Sequence, residues 1–346
     1  MNNQRPALTG GASVHHITQE HTAMKKKIGL VGIYFPGAYD ALHENVPEGF
    51  ELVDALSPEA YGNLRDCQYL ISRLDVDPDI IHHTPNVRFW QRWGAGFDHC
   101  DLRAWGERGI PIATCPGVNS GIVAELAIML MLAGYRNLLQ INRQLRAGHW
   151  PRTEYFGRSF MIRGKTVGIL GLGNIGKKVA ALTSAFGANV IYYDIVRQWE
   201  QEEQFGYRFV DFDTLLRESD IFSIHCPLDE STRGMIGPDE FARMKPSAML
   251  INTARGPIVC EDALIEALRT GRIATAGLDT YAREPLPPDH PLLTLDNVVA
   301  SAHAGGNTKD NDINMVNYIY RNIVAFDEGR PLNSDKDIVN AQYLPR

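Results

Sequence analysis

The chain has 346 residues, of which 44% are hydrophobic and 22% charged, with a formal net charge of -7 at pH 7. Such a length accommodates two domains, and the composition is that of a soluble globular protein. The acidic balance argues against a nucleic-acid partner, which needs a basic excess, and any anionic ligand must therefore be met by individual arginines.

The first 24 residues are polar and read as a disordered leader or a non-native remnant, with Met24 as an alternative start. Lys25-Lys26-Lys27 precede the apolar run IGLVGIYF, which resembles a signal peptide only superficially, because it is short and lacks a small-residue cleavage site. A strand fits it better. Further strand candidates follow in order: CQYLISRL, VRFWQRW, TVGILGL, NVIYYD, IFSIHC, AMLINTA, ATAGLD and NVVASA. Several are apolar nearly throughout, the mark of strands covered on both faces, and strand alternating with helix predicts a parallel sheet with crossover helices. Two such series flank a helical region at about 119–147. Its apolar run, LAIMLMLAG, is too short to span a bilayer. The five cysteines, Cys67, Cys100, Cys115, Cys226 and Cys260, are scattered and odd in number, as expected of a reduced, cytoplasmic protein. His15-His16 and His82-His83 are adjacent pairs whose side chains diverge in a strand, so no metal site is expected from them.

The strongest motif is KTVGILGLGNIGKKVAALTSAFGANVIYYD. A strand from Thr166 to Leu170 runs into a turn in which Gly171 permits the tight bend, Gly173 lets a pyrophosphate approach the backbone, and Gly176 lets helix and strand pack closely. The following helix, opening at Asn174 and Ile175, presents free N–H groups and a positive dipole end to phosphate. A second strand, Asn189 to Tyr193, ends at Asp194, whose carboxylate suits the ribose hydroxyls of NAD and repels the 2′-phosphate of NADP. NAD (as NADH in the reducing direction) is the expected cofactor. NADP is disfavoured, although Arg197 lies close enough to offset the repulsion in part.

Three later segments end in polar residues: AMLINTARG at Arg255, ATAGLDTYAREPLPP near Asp279 with Glu284 beyond, and NVVASAHAGG at His303. Taken singly, His303 reads as structural, Arg255 as an ion-pair partner, Glu284 as a solvated loop residue and Asp279 as a cap. Together, at strand ends beside a dinucleotide turn, they supply what hydride transfer to a 2-oxo acid needs. An arginine binds the carboxylate and polarises the carbonyl oxygen, a histidine donates the proton, and a carboxylate fixes the imidazole. Gly305 and Gly306 would let the backbone pass close to the cofactor.

Dense, ordered motifs resemble the D-isomer-specific 2-hydroxyacid dehydrogenases: GAGFDHCDL at 94–102, PGVNSGIVAE at 116–125, GKTVGILGLGNIG at 164–176, HCPLDESTRGMIG at 225–237, MKPSAMLINTARGPIV at 244–259, GLDTYAREPLP at 277–287 and SAHAGG at 301–306. The resemblance implies an α/β protein in which a Rossmann NAD-binding domain, 122–304, is inserted into a flavodoxin-like substrate-binding domain, 25–121 plus 305–346. It implies Arg255, Glu284 and His303 as the catalytic set, with His303 as general acid/base. It implies Asn174 and Ile175 at the pyrophosphate, Asp194 at the ribose and Asp279 at the nicotinamide carboxamide. Cys226, Thr253 and Ala254 would line the cofactor by backbone contacts, Arg255, His303, Gly305 and Gly306 would lie beside it, and His225 would be a strand-end residue rather than a second catalyst. Arg73 and Leu74, with backbone N–H groups of Gly94, Ala95 and Gly96 and with Arg255, would meet the substrate. The family is usually dimeric through the cofactor domain and the helix near 120–146. Glyoxylate or hydroxypyruvate is the first substrate expected. This chain departs from the family at Leu74, where a small residue is common, at Asp75, which would repel an anion, and at Trp93. A corepressor-type NAD-binding scaffold and phosphonate or formate oxidation share the fold; Ala302 before His303, with no glutamine upstream, counts against formate.

Overall fold

The computed structural model describes residues 24–74, 76–98 and 100–345. The expectations for the leader (Met24 apart), His15-His16 and Asp75 lie outside these residues.

Five strands, β1 (Lys26–Gly32), β2 (Phe50–Ala55), β3 (Tyr69–Arg73), β4 (Phe89–Arg92) and β5 (Ile112–Ala113), form an all-parallel sheet in the order β2-β1-β3-β4-β5. This is the flavodoxin-like order. The intervening helices are α1 (Pro36–Glu44), α2 (Ile80–His83) and α3 (Leu102–Glu107). The chain leaves through α4 (Ser120–Tyr135) and α5 (Leu138–Arg146), which meet at 63°. The region expected to be helical throughout is thus broken at Asn137, whose φ of 52° is left-handed, a conformation asparagine tolerates better than most residues. No single helix among the described residues is long and apolar enough to cross a membrane.

Seven further strands, β6 (Thr166–Leu170), β7 (Asn189–Tyr193), β8 (Arg208–Phe209), β9 (Ile221–Ile224), β10 (Met249–Asn252), β11 (Thr275–Leu278) and β12 (Val298–Ala300), form a second parallel sheet in the order β12-β11-β10-β9-β6-β7-β8. Read from β8, its first six strands follow the doubly wound dinucleotide-binding order, with β12 added at the far edge. Its helices are α6 (Asn174–Ala185), α7 (Trp199–Phe205), α8 (Phe212–Glu218), α9 (Pro238–Arg243) and α10 (Glu261–Arg269). The chain then returns through α11 (Lys309–Asp327) to the first sheet, where Thr114 N–H donates to the Asp337 carbonyl (2.9 Å) and Val339 N–H to that of Ile112 (2.9 Å).

Period-two alternation divides each sheet's side chains between two cores. In the first sheet, Ile28, Leu30, Ile71 and Phe89 pack with Met315, Ile319 and Ile323 of α11, while Val31, Leu70 and Trp90 pack with Leu64 and Trp105 on the other face. In the second sheet, Val167, Ile169 and Ile251 face Leu130 and Met131 of α4 and Val179 of α6, while Leu170, Phe222, Leu250 and Leu278 face α8 and α10. Complete burial of such side chains stabilises by about 1.5–3 kcal/mol each, so the apolar runs are accounted for by two double-sided cores.

The three strands absent from the sequence reading are β2, β5 and β8. The last two are only two residues long, and β2 is an edge strand whose Glu51 and Asp54 interrupt its apolar run.

Candidate active site

Beyond the carboxyl ends of β6 and β9, where the strand order reverses, lies the glycine turn. Gly171 has φ 90°, and a Cβ there would stand 2.7 Å from the Cys226 backbone nitrogen. A Cβ on Gly176 would reach within 2.2 Å of the Gly171 carbonyl oxygen, so the turn and α6 require both glycines. A Cβ on Gly173 would meet nothing within 4 Å. Space there is left to a ligand, and Gly173, which caps α6, offers no side chain to its first N–H groups. Asn174 reaches toward Gly117, and Ile175 is half-buried. Asp194 is held at both oxygens: Oδ2 accepts from Leu172 N–H at 2.7 Å and Oδ1 from Val196 N–H at 3.0 Å. The Thr253 hydroxyl is buried without a hydrogen-bond partner, an orphaned polar atom on the loop after β10. These features fit a dinucleotide. Two nearby titratable groups are held in their uncharged forms: burial pushes the Cys226 thiol up to about 12 and the His225 imidazole down to about 3.

The acid–base residues stand on loops slightly beyond the strands, not on the strand ends themselves. β10 stops at Asn252, β11 at Leu278 and β12 at Ala300. Asn252 folds the first loop, donating from Nδ2 to the Arg255 carbonyl (2.9 Å) and accepting from Ala254 N–H (3.1 Å). Asp279, 2% exposed, folds the third: its carboxylate accepts from Ala304 N–H (2.9 Å) and Gly305 N–H (3.0 Å), and its carbonyl from His303 N–H (2.8 Å). This clamp holds His303 at φ 49°, a left-handed conformation an ordinary side chain adopts only when its surroundings impose it.

His303 Nδ1 lies 2.6 Å from Glu284 Oε2, and Glu284 Oε1 accepts from Tyr281 N–H at 3.0 Å. A carboxylate can only accept, so Nδ1 carries the hydrogen and Nε2 is the atom left to gain and lose a proton. The Glu284 hydrogen bond raises the His303 pKa above the ordinary histidine value, outweighing burial and the Arg255 charge, which lower it. Burial alone would raise the Glu284 carboxyl, but bonds from His303 and Tyr281 and the charges of His303 and Arg255 bring it below its ordinary value.

Arg255 crosses to the first sheet. Its Nε donates to Asp98 Oδ2 at 2.8 Å and its Nη1 to the Ala254 carbonyl at 2.7 Å. Its Nη2 occupies the space a side chain would need at Gly96, 2.2 Å from the Cβ position. Gly94 has φ 100°, and Ala95 completes the turn between them. Arg73 is placed differently from the other predicted substrate residues. It is 5% exposed, its guanidinium lies over Phe35 (4.2 Å) and Trp93 (5.4 Å), and Nη2 donates to Asn307 at 2.7 Å. Leu74 is half-exposed in a left-handed conformation, φ 57°.

Sequence reasoning missed Asp98, Asn252 and Asn307 as positioning residues. Asp98 lies inside the GAGFDHCDL motif and Asn252 two residues before Ala254, so position was a signal for both; Asn307 had none. The reason given for Gly305 also changes. A Cβ there would meet Asp279 Oδ2 at 2.9 Å and Leu126 at 3.1 Å, so this glycine is required by the protein's own packing, whereas a Cβ on Gly306 would meet only the Asn119 side chain, at 3.3 Å.

Comparison with known proteins identifies the family. The family model described as D-isomer specific 2-hydroxyacid dehydrogenase, NAD binding domain, matches residues 128–305. The chain is 41% identical to a D-3-phosphoglycerate dehydrogenase of Archaeoglobus fulgidus over 79% of its length, but spans only 50% of that relative. It is 38% identical to a glyoxylate reductase of Thermofilum pendens, over 83% of this chain and 87% of the relative. The crystal structure of an NADPH-dependent glyoxylate/hydroxypyruvate reductase from Sinorhizobium meliloti, in complex with NADP and malonate, superposes with a TM-score of 0.79 at 27% identity, covering 93% of this chain and 99% of that one.

Proposed function

The chain belongs to the D-isomer-specific 2-hydroxyacid dehydrogenase family, and from that premise we propose that it interconverts a 2-oxo acid and the corresponding D-2-hydroxy acid, with glyoxylate or hydroxypyruvate as its substrate. The observation that carries this reading is the 2.6 Å contact of His303 Nδ1 with Glu284 on the loops beside the glycine turn. It leaves a poised Nε2 with its tautomer fixed.

Gly171, Gly173, Asn174, Ile175 and Gly176 hold the pyrophosphate, Asp194 the ribose, and Asp279 the carboxamide end. Cys226, Thr253, Ala254, Gly305 and Gly306 line the path between them. When bound, NADH supplies the hydride that reduces the carbonyl carbon. Arg255 and the backbone N–H groups of Gly94, Ala95 and Gly96 bind the substrate carboxylate, and Arg255 draws negative charge onto the carbonyl oxygen. His303 Nε2 donates a proton to that oxygen as charge develops, and Glu284 stabilises the imidazolium beforehand and keeps the ring oriented afterwards. Asp98 holds the Arg255 guanidinium in one orientation. Arg73, engaged by Asn307, shapes the outer wall of the substrate site.

The exposed apolar side chains of α4 and α5 and the segment after them, among them Met129, Leu138, Leu145, Trp150 and Phe156, support a homodimer face. Sedimentation at micromolar concentration tests it, with a monomer as the contrary result.

A panel of 2-oxo acids assayed with NADH at the nicotinamide absorbance tests the proposed reaction. Turnover of glyoxylate or hydroxypyruvate above that of bulkier acids is expected. Preference for a large apolar acid would overturn the substrate, and NADH binding without oxidation across the panel would overturn the reaction.

A further inference from the structure

We propose that Glu202 is a positioning residue for cofactor choice: it holds Arg197 away from the ribose edge marked by Asp194, and so keeps the enzyme selective for NAD over NADP. The inference rests on reading Asp194 as the ribose partner.

Arg197 lies three residues beyond Asp194, on the loop leading into α7. A 2′-phosphate on the cofactor's adenosine ribose would call for such a guanidinium, presented as a fork. The fork is already occupied. Nε and Nη2 of Arg197 donate to Oε1 and Oε2 of Glu202, each at 2.8 Å. The guanidinium carbon also lies over the Trp199 ring, 3.5 Å from its centroid, with the Phe209 centroid at 5.2 Å. An exposed ion pair would ordinarily be a weak restraint, but this one is anchored from beneath. Glu202 Oε1 accepts a second hydrogen bond, 2.8 Å, from the Tyr192 hydroxyl. Tyr192 is fully buried in β7, and its hydroxyl oxygen accepts from Gln198 N–H at 2.9 Å. The carboxylate therefore stands on the sheet, and the arginine is fastened to it by two bonds and a stacking face. Asp194 is fixed as firmly by Leu172 and Val196 N–H. The ribose edge thus presents a fixed anion while its nearby cation is neutralised and turned onto Trp199.

Fluorescence titration of NADH and NADPH tests this without requiring turnover, comparing the wild-type chain with Glu202→Gln, Glu202→Gln/Arg197→Leu, Tyr192→Phe and Asp194→Ala. Glu202→Gln breaks the fork while keeping its shape; it should tighten NADPH relative to NADH roughly tenfold, with the NADH Kd within about twofold of wild type. The double variant should lose that gain, and Tyr192→Phe, which removes only the anchor, should show a smaller shift in the same direction. An unchanged ratio in both Glu202→Gln and Tyr192→Phe overturns the proposal. So does a gain that survives Arg197→Leu, since the effect would then be Glu202's own charge. Failure of the ribose reading is a separate result: Asp194→Ala would leave both NADH affinity and the ratio unchanged.

Discussion

The seven-stranded sheet fixes its site residues mainly through backbone groups, whereas the five-stranded sheet relies on side chains arriving from remote segments. In the former, Asp194 is held by Leu172 and Val196 N–H, and Asp279 cinches Ala304 and Gly305 N–H. In the latter, Arg73 is held by Asn307, 234 residues away in sequence, and Asp98 reaches Arg255 across 157 residues. Backbone clamps constrain composition tightly, through glycines with no room for a Cβ and carboxylates at set offsets. Side-chain clamps allow many solutions. The clamps at Asp194 and Asp279 therefore leave a clearer mark in the sequence than those at Arg73 and Arg255.

The largest test strikes the cofactor-half clamp. His303→Ala should lower kcat by about 10²–10⁴-fold with NADH affinity nearly unchanged, measured by steady-state assay and fluorescence titration side by side. Loss of NADH binding as well would mean that His303 holds the loop and not the proton. Next, Asp98→Asn should leave NADH binding intact and lower kcat/KM about tenfold, mostly through KM, because Arg255 loses its orienting charge. An effect confined to thermal stability would show that the remote clamp is structural only.

The pH dependence follows in size. Reduction needs protonated His303, and Glu284 raises its pKa above the ordinary 6.5. The reduction rate should hold below that raised value and fall as pH rises through it, while oxidation of the hydroxy acid climbs over the same window. The stability contributed by the raised His303 pKa runs the same way, full below 6.5 as long as Glu284 stays ionised, and lost as pH rises through the folded-state value. Glu284→Gln should move the fall in reduction to lower pH; a profile that stays in place would point to another titrating group. Smallest is Leu74→Gly. Relieving a left-handed leucine should stabilise the fold by about 0.5–1 kcal/mol after the entropy cost of glycine, read as a rise in Tm. No gain would mean that Leu74 contacts offset its strain.

Most of the second sheet was legible. β6 and β7 fall at the residues expected of them, because the glycine turn, its helix and Asp194 are local in sequence. The strands β2, β5 and β8 were not, being short or charged at an edge. Arg255, Glu284 and His303 could be singled out one by one, since each follows an apolar run. The contacts that hold the arginines could not: Asp98 and Asn252 lie within motifs, but nothing local says that they meet Arg255, and Asn307 on Arg73 carries no mark at all.

The sequence by itself determined the parallel architecture, the dinucleotide turn and the candidate acid–base residues, because buried strands, glycine turns and strand-end polar groups leave periodic and local marks. Only the tertiary structure decided which atom each group engages: Nδ1 of His303 on Glu284, Arg255 on Asp98, and Arg197 turned onto Glu202. Hydrogen bonds depend on distance and angle between segments whose separation along the chain says nothing about their separation in space.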